Sequence, residues 1–229
     1  MPDPNRIPPE EKSFPFQIKQ RAYFSTYHLC AARQFAQCAQ ESEAAEGRSM
    51  RFDIKQTSYV AGSIIASAAF LEAAINEFLK DIADGQSPKC IDPECGKLIK
   101  AYWDRKESGN RSSVSILNKY QDALELCRKP RFKTGEQPYQ DAKLGIELRN
   151  ELTHYKPEFF GGDDQHRFTE KLRGKFAENP LMVGSGNPYF PDKFLGSPCA
   201  LWVVTSVQTL ADAFFGSVGV MPNYQVVKF

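Results

Sequence analysis

The sequence predicts an all-α fold: an antiparallel bundle of about five main helices, with a long irregular loop before the last one. Three observations carry this prediction. Apolar residues recur at three- and four-residue steps in several separate stretches, the spacing of one helix face. Glycine, proline and serine bound these stretches where helices start and stop. Strand-like alternation is confined to the last residues, "YQVVKF".

Residues 1–16 are rich in proline and read as a flexible N-terminal arm. Residues 17–229 read as a single helical domain. The first helix is expected from Gln17 to about Ala45, ending near Gly47, with Ala22, Leu29, Ala32, Phe35 and Ala36 on its apolar face. The second should run from about Ile54 to Ala83. Gly62, Ala66, Ala69 and Ala73 form a ridge of small residues along it, and Ile64, Ala68, Leu71, Ile75 and Phe78 form a second stripe. Two apolar faces imply burial on both sides, so this is the central helix, and the small ridge lets a neighbour pack close. "KLIKAYWDRK" suggests a short helix. "SSVSILNKYQDALELC" suggests the third main helix, capped near Ser112 or Ser113. The fourth runs from about Tyr139 to Tyr155, with Leu144, Leu148, Leu152 and Tyr155 as its stripe, and Pro157 disfavours helical geometry at Lys156. Residues 157–196 read as a long loop or insertion holding one short helix. The last helix is expected to open with Ser197 as N-cap and Pro198 in its first turn, and to end near Gly216.

A net charge of +1 gives no long-range basic field, so attraction to nucleic acid would have to be local. Six cysteines, with a charged and proline-rich N-terminus unlike a signal peptide, point to reduced thiols in a cytoplasmic protein. Cys90 and Cys95 in "KCIDPECGK" are spaced loosely for half a zinc site and have no matching second pair, so no metal or other cofactor is expected. "YVAGSIIASAAFLEAAI" is short for a bilayer span and contains Glu72, which favours a buried core helix and no membrane.

One stretch carries chemistry. "GIELRNELTHYKPEFF" sets Arg149, Asn150 and His154 close together near a helix end. A histidine can take or give a proton near neutral pH. An arginine offers a charged fork of donors suited to phosphate. An asparagine can orient either of them. The three suffice for metal-free RNA cleavage: the base activates a ribose 2′-hydroxyl, which attacks the adjacent phosphate while arginine holds the developing charge. DNA lacks that hydroxyl. On a regular helix, however, Arg149 and His154 stand about 140° apart, whereas Asn150 and His154 share a side. Either the helix unwinds at Thr153, or a two-fold dimer brings both helix ends into one composite cleft. Glu72, four residues before Asn76 on the central helix, needs a partner if buried. Arg149 is the expected one; otherwise Glu72 reaches solvent at the bundle edge or caps another helix. "RAYFSTYH" sets a second arginine and histidine near each other, Arg21 and His28 seven residues apart, but His28 reads as a half-buried helix residue and His166 as a solvated loop residue.

"LRNELTHY" resembles the R-x4–6-H motif of HEPN domains, and "SYVAGSIIASAAFLEAAINEFL" resembles the long second helix of bacterial HEPN proteins. The resemblance spans roughly residues 17–160. It implies an all-helical, frequently dimeric domain. It also implies metal-independent endoribonuclease activity, as in toxins and antiviral defence proteins. Arg149 would bind phosphate, Asn150 would be the polar helper and His154 the catalytic histidine, with Glu72, Asn76 and Tyr155 in support. Some HEPN proteins are inactive and serve as binding or regulatory modules for nucleic acid, nucleotide or protein. The basic stretches 128–133 and 166–175 could touch an RNA backbone, and Tyr155, Phe159 and Phe160 could stack on bases. The expected partners are therefore RNA, a second copy of the chain and an inhibitory protein. A third reading is a helical scaffold in which Arg149 and Glu72 form only an ion pair.

Overall fold

The structure, a computed structural model, describes residues 21–45, 52–107, 114–157 and 166–226. The proline-rich arm, the expected first-helix start at Gln17 and its end near Gly47, the caps at Ser112 and Ser113, and Phe159 and Phe160 all lie outside these residues. Helix α1 spans Phe24–Ala44, α2 Ile54–Ala83, α3 Pro93–Glu107, α4 Ile116–Leu126, α5 Tyr139–Thr153, α6 Arg167–Leu172, α7 Ser197–Val218 and α8 Asn223–Val226. No strand occurs among the described residues, where the only bridge joins Arg173 and Phe176. The fold is all-α.

Helix α2 is the hub, packing against α1, α3, α4, α5 and α7. Asp53 caps its start by accepting from the amides of Lys55 and Gln56. Ile64, Ala68, Leu71, Ile75 and Phe78 are all buried, as the stripe requires. The small ridge works at Gly62, where a Cβ would stand 3.1 Å from the ring of Phe35 on α1. The next residue, Ser63, donates to the Ala32 carbonyl at 2.8 Å. Phe214 of α7 meets Phe78 and Tyr120 edge-on, at 5.2 and 4.9 Å between centroids. Both α2 and α7 are long and apolar enough to cross a membrane; in this fold 56% of each apolar window is buried.

Two carboxylates tie helix starts to distant helices. Glu77 of α2 accepts from the Ser25 amide at 2.8 Å and its hydroxyl at 2.5 Å, at the start of α1. Glu43, at the end of α1, accepts from the Ser197 amide at 2.6 Å and from the Ser197 hydroxyl. Ser197 is therefore not the N-cap of α7. Gly196 occupies that position, and Glu43 supplies the acceptor a capping side chain would have given.

Several boundaries differ from expectation. The "KLIKAYWDRK" helix is a full 15 residues, because Asp92 starts it earlier by accepting from the Glu94 amide at 2.8 Å. Ser115 caps α4, through the Asn118 amide. Helix α7 continues to Val218 and stops at left-handed Gly219. Of the tail "YQVVKF", residues 224–226 belong to α8 rather than a strand and the rest lies outside the described residues; Tyr224 is buried and bonded to Asp212 at 2.8 Å.

The stretch expected as an irregular loop contributes core. Besides α6 it holds a 3-10 turn at Pro180–Met182 and a π turn at Tyr189–Lys193. Phe168, Leu172, Leu181, Met182, Phe190, Phe194 and Leu195 are all buried. Asn179, 2% exposed, holds this stretch by donating to the Leu195 carbonyl at 2.9 Å and accepting from the Leu181 amide at 3.0 Å. Gly196 is obligatory beside it, since a Cβ there would lie 2.6 Å from the Asn179 Cα.

Candidate functional site at the end of helix α5

Leu144 and Leu148 bury the inner face of α5, and Gly145 lies against α7, where a Cβ would stand 3.2 Å from Val203. Acids lie on and beside this same face, and Asp141 is itself buried. Asp141 accepts from Lys175 at 2.7 Å, Glu147 from Lys171 at 3.2 Å, and Glu151 from Arg167. Lys143 adds a longer contact to Glu147 at 3.8 Å. Arg167, Lys171 and Lys175 recur every four residues, so α6 and the turn after it dock as a ladder of opposite charges. The basic stretch 166–175, expected as an RNA contact, thus has three of its cations neutralised by α5. In the other basic stretch, Arg131 pairs with Glu125, and Lys133 with Glu136 at 3.0 Å.

Arg149 is treated differently. It is half-buried, its Nε is fully buried without a hydrogen-bond partner, and no described carboxylate lies within ion-pair distance. Asn150 and His154 are exposed. The last turn stays wound: the His154 amide donates to the Asn150 carbonyl at 2.9 Å and Thr153 Oγ1 to the Arg149 carbonyl at 2.9 Å. The unwinding at Thr153, one of the two ways to bring Arg149 and His154 together, does not occur before His154. Within one protomer, Arg149 and His154 therefore stand on different sides of α5.

Glu72 does not meet Arg149. Its partner is Lys119 of α4, whose Nζ lies 3.1 Å from Glu72 Oε1 and 3.0 Å from Asn76 Oδ1. The four-residue spacing did place Glu72 and Asn76 on one side, but α4 covers that side with a lysine whose side chain is 14% exposed. The supporting roles of Glu72 and Asn76 toward Arg149 are corrected accordingly. Tyr155 is 43% exposed and, with Phe52, Leu152, Phe190, Pro191 and Leu195, lines an apolar cavity of about 350 Å3 that Arg149, Asn150 and His154 do not line.

The other two histidines are structural. His28 is half-buried beside Phe24, while Arg21 is held by Asp81 at 2.8 Å and Asp84 at 2.9 Å. His166, expected in solvent, has a side chain only 9% exposed and stacks on Phe190 at 3.5 Å between centroids. Its Nδ1 accepts from the Phe168 amide at 3.3 Å, capping α6, which leaves Nε2 facing Glu151 at 3.7 Å. A ring-accepting residue directly before "RFTEKL" was the available signal. Cys90 is exposed and Cys95 buried, and no described group of three or more His, Cys, Asp or Glu could hold a metal.

No protein-family model matches the chain, and neither a curated protein nor a solved structure is significantly similar to it. The resemblance to HEPN domains rests on the residues named above.

Proposed function

We propose that the chain is a HEPN-like, metal-independent endoribonuclease that cleaves single-stranded RNA in the cytoplasm as a homodimer. The observation that carries this reading is Arg149. The acids on either side of it are matched to cations of α6, while its own Nε is buried without a hydrogen-bond partner and no carboxylate among the described residues pairs with it. An anion brought from outside, such as an RNA phosphate, would satisfy it. His154 supports the reading because it is exposed and bound to its own helix only through its backbone amide.

In the proposed reaction a neutral His154 takes the proton of a 2′-hydroxyl. The freed oxygen attacks phosphorus, the bond to the 5′-oxygen breaks, and Arg149 holds the negative charge. A protonated second histidine gives the leaving oxygen its proton. The products are a 2′,3′-cyclic phosphate and a 5′-hydroxyl. Because one protomer holds Arg149 and His154 on different sides of α5, the pair must come from two copies. Unchecked RNA cleavage would harm the cell, so an inhibitory protein partner and a toxin or defence role belong to the same reading.

The test incubates purified protein with single-stranded RNA in EDTA. Cleavage that survives chelation and leaves a 2′,3′-cyclic phosphate is expected. Arg149→Ala and His154→Ala should each be inactive, and mixing the two should restore part of the activity through heterodimers. Two variants that cut as well as the unaltered chain sink the assignment. The apolar cavity beside Tyr155 favours a second reading, a non-catalytic module that binds a small apolar or aromatic group. That reading predicts binding without cleavage.

A further inference from the structure

We propose that Cys95 and Cys127 are a redox pair that closes into a reversible disulfide with a low-molecular-weight disulfide, such as oxidised glutathione, as oxidant. The inference is independent of the ribonuclease reading. It rests on the contact of two thiols from elements far apart in sequence. Cys95 lies in the first turn of α3, and Cys127 follows the last residue of α4. Their sulfurs are 2.8 Å apart. Bonding requires an approach of only about 0.8 Å more.

Each cysteine is held where it is by the end of its own helix. The Cys95 amide donates to the Asp92 cap at 3.4 Å, and the Cys127 amide to the Ala123 carbonyl at 3.0 Å. Neither sulfur needs a change of fold to reach the other. Cys90, the other cysteine of "KCIDPECGK", is exposed, and Cys95 meets Cys127.

Cys127 is the more accessible of the two, so it reacts first. Its thiolate attacks one sulfur of the oxidised glutathione, the glutathione disulfide bond breaks, and one glutathione thiol leaves. The Cys95 thiolate then attacks the Cys127 sulfur of the mixed disulfide and releases the second glutathione. The two cysteines lose two electrons, the oxidised glutathione gains them, and both thiol protons end on glutathione. Burial and the hydrogen bond with Cys95 push the Cys127 thiol well above its ordinary range, so little thiolate is present at neutral pH and the reaction is slow. The closed bond would tie α3 to the connection leading into α5.

The test exposes the folded full chain to oxidised glutathione, alkylates the remaining thiols and maps the peptides without reduction. The expected result is a Cys95–Cys127 cross-link, reversed by dithiothreitol, with a thermal midpoint raised by about 5–10 °C. Cys90→Ser should keep the link, and Cys127→Ser should lose both the link and the shift. The proposal is overturned if Cys95 and Cys127 remain alkylated, if Cys90 pairs with either, or if the link forms only in urea. Mapping of the unaltered chain decides this even if Cys127→Ser fails to fold.

Discussion

Two sets of residues on the same helix treat their charges in opposite ways. Asp141, Glu147 and Glu151 are each met by a cation of α6 or its following turn, and Glu151 is only 13% exposed. Arg149 lies between the last two of these acids and meets no charged partner among the described residues, and His154 is exposed five residues further on. The paired set is what folding alone requires, because charge leaving water must be matched. The unpaired set holds a buried donor without an acceptor, at a cost of about 1–3 kcal/mol. A residue kept at such a cost is a candidate for meeting something outside the chain.

The sharpest way to break the contrast is to exchange its consequences. His154→Ala should lower RNA cleavage by at least about 100-fold. Its denaturation midpoint should stay that of the unaltered chain, as circular dichroism on heating would show. Arg149→Ala should lose cleavage by about 100- to 1000-fold. Because it removes an unsatisfied donor, urea unfolding should find it no less stable than the parent, within about 1 kcal/mol. Strong destabilisation there would make Arg149 structural and end the distinction.

Glu151→Ala should do the reverse, costing about 1–2 kcal/mol in urea unfolding while cleavage persists, since Arg167 loses its acceptor and His166 the carboxylate beside its ring. Glu72→Ala is the mildest case. Its side chain is 47% exposed, so losing the contact with Lys119 should cost less than about 1 kcal/mol. It should also leave cleavage unchanged, since Glu72 holds Lys119 rather than Arg149. A large activity loss on that substitution would reconnect Glu72 to the α5 site.

Much of the fold was legible. Helix α2 begins at Ile54 and ends at Ala83, where the sequence reading put its ends. Helix α5 likewise starts at Tyr139. The stretch 166–196 was not legible as core, because its aromatic residues follow no period. Phe190 is buried by a stack with His166 and Phe194, a match only the folded chain creates. Ser197 looked like a cap because capping is usually local. Its actual partner, Glu43, is 154 residues away. At the candidate site, the side shared by Glu72 and Asn76 was readable from spacing, but the lysine that occupies it was not.

Sequence by itself determined the all-α class, the extent of the central helix and the closeness of Arg149, Asn150 and His154 within six residues. These follow from backbone hydrogen bonding and side-chain period, which act over a few residues. Tertiary structure alone decided which acids were spent on α6, that Lys119 took Glu72, and that the Arg149 Nε stayed buried without an acceptor. Ion pairing and burial depend on neighbours tens of residues distant, and the chain had to fold before any charge could find its match or fail to.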